Sequence, residues 1–289
     1  MQNDPPPRNA WRRTEDALSD EPDADQVPVV ELNTNVAHPA RVYDYWLGGK
    51  DNFPADAAAA EQAMEALPQV VDGARANRAF LRRSVRYLAS EAGIRQFLDI
   101  GTGIPTSPNV HEIAQGVAPE SRIVYVDNDP IVLVHARALL TSTPEGVTDY
   151  VDADLHDPDR ILKAARRTLD FEQPIALMLL TILQLLPDDH HPYEIVRRLV
   201  DALPSGSYLV LSQPGSDVFP EGAAGAAARL SHGMPMSVTL RSHDQVARFF
   251  NGLEFVDPGL VQVHRWRPDP SDKDLDRKVA VHGGVARKP

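Results

Sequence analysis

The feature that most constrains the fold is a repeated alternation of short apolar segments and helical patterns in the second two thirds of the chain. Strands are predicted near residues 96–100, 122–127, 147–152, 174–180 and 207–212. The segments between them predict helices near residues 108–117, 130–141, 158–169 and 188–203. Strands that alternate with helices in this way form a mainly parallel sheet covered on both faces. The sequence therefore predicts an α/β fold.

The rest of the chain predicts a tail, a helical cap and an insertion. Residues 1–33 contain five prolines and eight acidic residues, and we expect them to form a disordered or loosely ordered tail. Residues 34–93 carry helical patterns and are predicted to form an N-terminal helical cap or flap. Residues 94–289 are predicted to form the α/β ligand-binding domain. Its insertion over residues 213–240 is rich in Gly and Ala, which favours a mobile element over a packed one.

The end of the chain predicts one more helix and two more strands. Ser242 and Gln245 have the spacing of a capping box, which predicts a helix that extends to about residue 251. Strands are predicted near residues 261–266 and 278–286.

The first strand of the α/β region leads into a glycine turn, in the segment QFLDIGTGIPTSPNVHE at residues 96–112. Ligands of open parallel sheets bind beyond the carboxyl ends of the strands, where Gly101 and Gly103 are predicted to lie. Glycine permits a sharp turn and lets a ligand approach the backbone closely. Ser107 and Pro108 are predicted to begin the next helix as its cap and first residue. The turn alone also fits a strand-to-helix connection with nothing bound.

Acidic residues at the ends of the next two strands favour a bound nucleoside. Asp127 ends the second strand, where a carboxylate can accept hydrogen bonds from both ribose hydroxyls. Asp154 follows the third strand, where it can accept a bond from an exocyclic adenine amine. Asp129 precedes Pro130 and is predicted to cap a helix instead. Asp99 lies at the end of the first strand, so each of three successive strands is followed by or ends in an acid. This pattern is a more specific sign of a bound ligand than the glycines alone.

The turn is not that of a usual dinucleotide site. A dinucleotide-binding fingerprint requires Gly or Ala at its last position, where this chain has Thr106. No basic cluster is present to bind a pyrophosphate. S-adenosylmethionine has no phosphate, and its ammonium group favours an acid near the first turn, as Asp99 provides. The segment VDNDP also resembles the Asp-x-Asp of nucleotide-sugar transferases, an interpretation weakened by the predicted capping role of Asp129.

Four segments resemble an actinobacterial family of S-adenosylmethionine-dependent methyltransferases: ARVYDYWLGGKDNFPAD, FLDIGTGIPTSPNVHE, VYVDNDPIVLVHARALL and GGVARKP. The resemblance covers roughly residues 33–289. It implies a Rossmann-like class I methyltransferase fold. The sheet of that fold has seven strands, is mostly parallel and has an antiparallel last strand.

The resemblance also implies roles for the candidate site residues. The turn with Asp99, Gly101 and Gly103 would hold the methionine end of S-adenosylmethionine. Asp127 would hold the ribose with Asn128 beside it, and Asp154 with Leu155 would edge the adenine. Four further residues are predicted to contact the cofactor: Thr102, Thr181, Tyr45 and Gly48.

The identity of a catalytic residue stays open. Gln184 and Gln213 stand where histidines are common in the family, and glutamine cannot take up a proton near neutral pH. His232 in the insertion is a candidate by position only. Two alternatives to methyl transfer therefore remain: a non-catalytic module that binds S-adenosylmethionine, and a nucleotide-sugar transferase.

Composition limits the partners. The formal net charge is −12, which disfavours a nucleic-acid partner. The chain has no cysteine, which excludes thiolate metal sites, and no metal site is predicted. No apolar segment is long enough to span a bilayer, so we expect a cytoplasmic protein with no membrane partner. We predict a closed pocket of small-molecule size between Tyr45 or Trp46 and the insertion, for a small organic acceptor.

Overall fold

The structure is a computed structural model that describes residues 34–139, 141–234, 237–270 and 275–289. The predicted tail over residues 1–33 lies outside the described residues. In the described part of the chain, no helix is both long enough and apolar enough to cross a membrane.

A central sheet organises the fold. Its strands are β1 Gln96–Ile100, β2 Arg122–Asp127, β3 Val147–Asp152, β4 Ala176–Leu180, β5 Tyr208–Pro214, β6 Glu254–Phe255, β7 Val261–Gln262 and β8 Val281–Arg287. Their order is β3-β2-β1-β4-β5-β8-β6, and β7 also pairs with β8. Strands β1 to β5 are parallel, whereas β8 is antiparallel to β5, β6 and β7. The predicted fold class is confirmed. The described residues form eight strands instead of seven, because β6 and β7, each of two residues, both pair with β8.

Helices cover both faces and the carboxyl edge of the sheet. They are α1 Pro39–Leu47, α2 Pro54–Ala66, α3 Val70–Ser90, α4 Val110–Val117, α5 Pro130–Leu139, α6 Pro158–Ala165, α7 Pro192–Asp201, α8 Pro220–Gly233 and α9 His243–Ala247. Six of these begin with proline, whose fixed φ suits the first position of a helix. Ser242 caps α9 as predicted, and its side chain accepts a hydrogen bond from the backbone N–H of Gln245.

The start of α4 differs from the prediction. Asn109 and Glu112 form a capping box, and α4 begins at Val110, after Ser107 and Pro108. The Asn109 backbone N–H donates to Glu112 Oε2 at 2.5 Å. The prediction that Ser107 and Pro108 begin this helix is wrong, because the reciprocal Asn–Glu pair provides a stronger helix start two residues later.

The strand predicted over residues 261–266 is mostly wrong. Only Val261 and Gln262 pair with β8, and a single 3₁₀ turn follows. Arg83 of α3 donates from Nε to the Trp266 carbonyl at 2.8 Å and from Nη2 to the Val263 carbonyl at 2.7 Å. These bonds satisfy carbonyls that a continued strand would direct into the sheet.

Three apolar clusters hold the layers together. One lies between the sheet and helices α6, α7 and α9, and a second lies between the other face and helices α3 and α4. The third joins α1, α2 and α8 beyond the carboxyl edge of the sheet.

Helix α8 is packed closely, contrary to the expectation for the insertion. A Cβ atom on Gly225 would lie 3.3 Å from Ala66 Cβ, and one on Gly222 would lie 3.0 Å from Leu67 Cδ1. The small residues therefore allow α8 to approach α2 closely. The prediction that the Gly and Ala content makes this segment mobile is wrong, because these residues serve helix packing.

Candidate active site

A cavity of about 710 Å³ lies at the carboxyl edge of the sheet. One wall is formed by residues at the ends of β1 to β5 and at the start of β8, and the facing wall is formed by α1, α3 and α8. Parallel strands bring these distant segments to one edge. The volume falls in the range of roughly 300–1,000 Å³ that small-molecule sites occupy.

Two glycines with left-handed backbone conformation shape the turn after β1. The φ angle is 75° at Gly101 and 67° at Gly103. A Cβ atom on Gly101 would lie 2.5 Å from Ile182 Cγ1, so this glycine makes room for the loop after β4 and not directly for a ligand. A Cβ atom on Gly103 would meet only Ala40 Cβ, at 4.0 Å. Gly103 thus leaves the backbone open to the cavity.

Asp99 is buried at the cavity wall beside Arg78 of α3. Burial raises the pKa of Asp99 to about 7, against the opposing effect of the Arg78 cation, and the nearby Asp127 raises it further. Arg78 Nη2 donates to the carbonyl of Thr106 and, at 2.9 Å, to that of Pro108. Arg78 therefore fixes the glycine loop and supplies positive charge near Asp99. Sequence reasoning missed it, because helical periodicity shows which face packs but not what that face binds.

Asp127 is held in place by backbone N–H groups. Its Oδ2 atom accepts from Gly103 at 2.9 Å, and its Oδ1 atom accepts from Asp129 at 3.0 Å. Burial raises its pKa, while these two hydrogen bonds act in the opposite direction. Each oxygen retains a further acceptor position. Asp129 accepts from the Ile131 N–H at 2.9 Å and contacts His38 Nδ1 at 3.0 Å, so its predicted capping role is confirmed.

Asp154 belongs to a polar bridge at one end of the cavity. Asn128 Nδ2 donates to Asp154 Oδ2 at 2.7 Å, and His156 Nδ1 lies 2.5 Å from Asp154 Oδ1. His156 Nε2 lies 2.8 Å from His190 Nδ1. The loop after β3 and the segment after β4 are thereby joined, with Leu155 also at the cavity wall.

Thr181 follows β4 and has a φ angle of 49°, which is uncommon for a β-branched residue. Its backbone N–H donates to the Ser212 carbonyl at 3.0 Å. Asn77 Nδ2 donates to Thr181 Oγ1 at 3.2 Å and to the Tyr43 hydroxyl at 3.1 Å. Ser212 Oγ donates to Asn77 Oδ1 at 2.7 Å. This network joins α1, α3, β4 and β5 at the cavity wall and holds the strained conformation of Thr181.

The structure brings most of the predicted cofactor residues to the cavity. The predicted residues that line it are Asp99, Gly101, Thr102, Gly103, Asp127, Asn128, Asp154, Leu155 and Thr181.

Two of the predicted cofactor residues do not line the cavity: Tyr45 on α1, and Gly48 at the end of that helix. Tyr45 directs its hydroxyl to Glu61 Oε1, at 2.8 Å, on the outside of the helices. Trp46 lines the cavity instead, because successive residues of a helix point in directions about 100° apart. Gly48 ends α1 with a φ angle of 80°. The positions of Tyr45 and Gly48 therefore do not support direct contacts with a cofactor.

The insertion lines part of the cavity through apolar residues of α8 and the segment after it. His232 is exposed and does not line the cavity, so its position offers no support for a catalytic role. Met236 lies outside the described residues. Gln184 lines the cavity, whereas Gln213 is buried and donates from Nε2 to the Thr239 carbonyl at 3.0 Å.

Comparisons with known proteins agree with the resemblance of the four sequence segments. Residues 25–289 match the family described as S-adenosyl methyltransferase. A DUF574 family protein of Streptomyces avermitilis is 52% identical, with a TM-score of 0.86 over 89% of this chain and 99% of that chain. A Thermobifida fusca protein proposed to be a methyltransferase is 40% identical, with a TM-score of 0.82 over 91% and 99%. No match was found among curated proteins. The chain therefore belongs to the S-adenosyl methyltransferase family.

Proposed function

We propose that this protein transfers the methyl group of S-adenosylmethionine to a small organic acceptor bound in the same cavity. The observation that carries the proposal is the arrangement of Asp99, Asp127 and Asp154 along one stretch of the cavity wall. We call this stretch, formed by the segments after β1, β2 and β3, the cofactor half. Bound there, S-adenosylmethionine would supply a methyl group on a positively charged sulfur. A lone pair of the acceptor would bond to the methyl carbon while the carbon–sulfur bond breaks and the sulfur leaves as a neutral thioether.

The cofactor half offers a partner for each part of S-adenosylmethionine. Asp127 has acceptor positions left for the two ribose hydroxyls, and Asp154 with Leu155 suits the adenine edge. The carboxylate form of Asp99 would stabilise the ammonium group. Among the cavity-lining residues in the described ranges, Arg78 is the one Arg or Lys, and we assign it to the carboxylate of the methionine end.

In such a reaction the protein mainly has to align the two substrates. The buried network of Asn77, Thr181 and Ser212 fixes the wall where the loop after β4 meets α3. Trp46 and α8 cover the cavity and would exclude water from the reacting groups.

We further propose that the acceptor is a small molecule, that no nucleic acid or membrane is a partner, and that the reaction takes place in the cytoplasm. The cavity has the size of a small-molecule site, and its wall includes only one Arg and no Lys among the described residues. With a formal net charge of −12, the chain would also repel a phosphate backbone.

Calorimetry and a turnover assay together test the proposed function. S-adenosylmethionine should bind the protein with one-to-one stoichiometry, and a nucleotide sugar should not. Transfer of a labelled methyl group should then be detected with a fractionated pool of organic metabolites. Binding of the nucleotide sugar alone would support the transferase alternative. Binding of S-adenosylmethionine without transfer to any fraction would support the non-catalytic alternative.

A further inference from the structure

We infer that the other half of the cavity takes a neutral, largely apolar molecule that carries a hydrogen-bond donor. We call this part the acceptor half, defined by Gln184 and the lining residues within 214–240 and 280–281. The inference rests on the proposed function, because it assigns the class of the second substrate in the same cavity.

The acceptor half has no charge of its own. Among its described residues, none within 214–240 or 280–281 is acidic, basic or a histidine, and only Ser237 has a polar side chain. The charged residues of α8 point elsewhere: Arg229, for example, pairs with Glu65 of α2 at 2.9 Å on the surface. A charged group placed in the acceptor half would lose water without gaining a partner, which is costly. The cofactor half, in contrast, contains three carboxylates, and the Arg78 cation of α3 lies near one of them, Asp99.

The wall of the acceptor half is formed before a ligand binds and has small side chains. The close approach of Gly225 to Ala66 fixes α8 against α2. Ala227 lines the cavity but does not belong to the apolar cluster between α2 and α8. A larger side chain at Ala227 would therefore extend into the cavity. The alanine leaves space for an apolar ligand.

Gln184 supplies the polar feature of this half. Its Nε2 atom donates to the Thr181 carbonyl at 2.5 Å. Its Oε1 atom is buried and has no hydrogen-bond partner among the described residues. A buried acceptor without a partner is unfavourable, so we expect the Gln184 side chain to turn its Oε1 atom toward the cavity when a molecule with an N–H or O–H group binds.

Two fluorescent probes with the same ring system test the charge preference. N-phenyl-1-naphthylamine is neutral and has an N–H group, whereas 8-anilinonaphthalene-1-sulfonate adds a negative charge to the same skeleton. Each is titrated into the full-length protein saturated with S-adenosylhomocysteine, so that the cofactor half is occupied. The neutral probe should bind at least about tenfold more tightly. Equal or tighter binding of the sulfonate would overturn the inference.

A matched pair of variants tests the location. Ala227→Phe should weaken binding of the neutral probe at least about tenfold, whereas Ala228→Phe, on the exposed side of the same helix, should not change it. Ala227→Leu replaces the first variant if thermal unfolding shows that it does not fold. Unchanged probe binding in a folded Ala227 variant that still binds S-adenosylmethionine would refute the inference alone. Failure of the wild-type protein to bind S-adenosylmethionine would refute the proposed function instead.

A third variant tests the hydrogen bond. Gln184→Leu removes the Oε1 acceptor and should weaken binding of the N–H probe about fivefold or more. Binding of the N-methylated form of the same probe, which has no donor, should change by less than about twofold. Equal losses for both probes would show that Gln184 contributes shape only and would overturn the part of the inference that concerns the donor.

Discussion

The two halves of the cavity are built from different kinds of residue. The cofactor half is formed by the ends of three adjacent parallel strands, and its carboxylates are held by backbone N–H groups and polar side chains. The acceptor half is walled mainly by α8, whose contribution is the placement of small apolar side chains. Charge and hydrogen bonding thus determine what the first half binds. Shape and the absence of charge determine what the second half binds.

The halves also differ in how they affect the stability of the protein when no ligand is bound. Burial raises the pKa of Asp99 from its ordinary value of 3.8 to about 7, so its ionised form is unfavourable without a bound cation. In the acceptor half, the Ala and Gly residues allow α2 and α8 to pack closely, which stabilises the fold. A ligand should therefore stabilise the cofactor half more than the acceptor half. Four variants test this difference between the halves.

The largest expected effect is the loss of cofactor affinity on replacement of Asp127. Asp127→Asn removes the charge and one acceptor while it keeps the side-chain size. Hydrogen bonds to a charged group contribute about 1.5–3 kcal/mol each, so affinity for S-adenosylmethionine should fall about a hundredfold. Asp152, the neighbour of Asp127 in the β2–β3 register, is exposed and outside the cavity wall, so Asp152→Asn is the control. Equal affinities of the two variants by calorimetry would reject the assigned role of Asp127.

The second effect concerns the support of the acceptor half. Arg241 is fully buried and donates to the carbonyls of Leu183 and Leu186, at 2.8 and 2.7 Å, and to Asp188. Arg241→Met leaves the Leu186 carbonyl without a donor, removes one of the two donors of the Leu183 carbonyl and should lower the free energy of unfolding by about 2–3 kcal/mol. Arg229→Met removes only an exposed ion pair and should cost less than about 1 kcal/mol. Denaturant titration measures both, and similar losses would contradict this account of the support.

The third effect is a pH dependence confined to the cofactor half. Because the folded pKa of Asp99 lies above its unfolded value, its contribution to stability is present below about pH 4 and is lost as pH rises through about 7. A bound cation favours the ionised form, so affinity for S-adenosylmethionine should rise about five- to tenfold between about pH 6 and about pH 7.5. Asp99→Asn should abolish this rise. A rise of the same size in the variant would assign it to another group.

The smallest effect separates the two glycines of the turn. Both have a positive φ angle, so alanine is strained at either position. Gly101→Ala also places a Cβ atom against Ile182 and should destabilise the protein by at least about 1 kcal/mol more than Gly103→Ala. Thermal unfolding of the two variants measures the difference. Equal losses would show that Ile182 can move aside.

The sequence predicted the cofactor half better than the acceptor half for a physical reason. Strand ends can be read from apolar runs, and parallel strands must bring Asp99, Asp127 and Asp154 to one edge. Helical periodicity predicts that one face of α3 is packed. It does not show that Arg78 lies near Asp99, because that depends on how α3 is placed against the sheet. The sequence does not show the phase of α1 relative to the sheet, so it cannot show that Trp46 and not Tyr45 lines the cavity.

The acceptor half depends on tertiary packing that local patterns do not encode. The Gly and Ala residues of α8 predicted mobility, because their use in close helix contact becomes visible only when α2 is adjacent. In the same way, Arg83 ends the short strand β7 through two carbonyl contacts from a helix far away in sequence. Local propensity gave no sign of either contact.

A crystal structure of the protein with S-adenosylhomocysteine is the most direct test of the division of the cavity into two halves. We predict that the ribose lies against Asp127, the adenine lies beside Asp154 and Leu155, and the sulfur faces Thr181, with the space beside Ala227 left free. A ligand that lies against α8, or one whose ribose does not contact Asp127, would contradict the account.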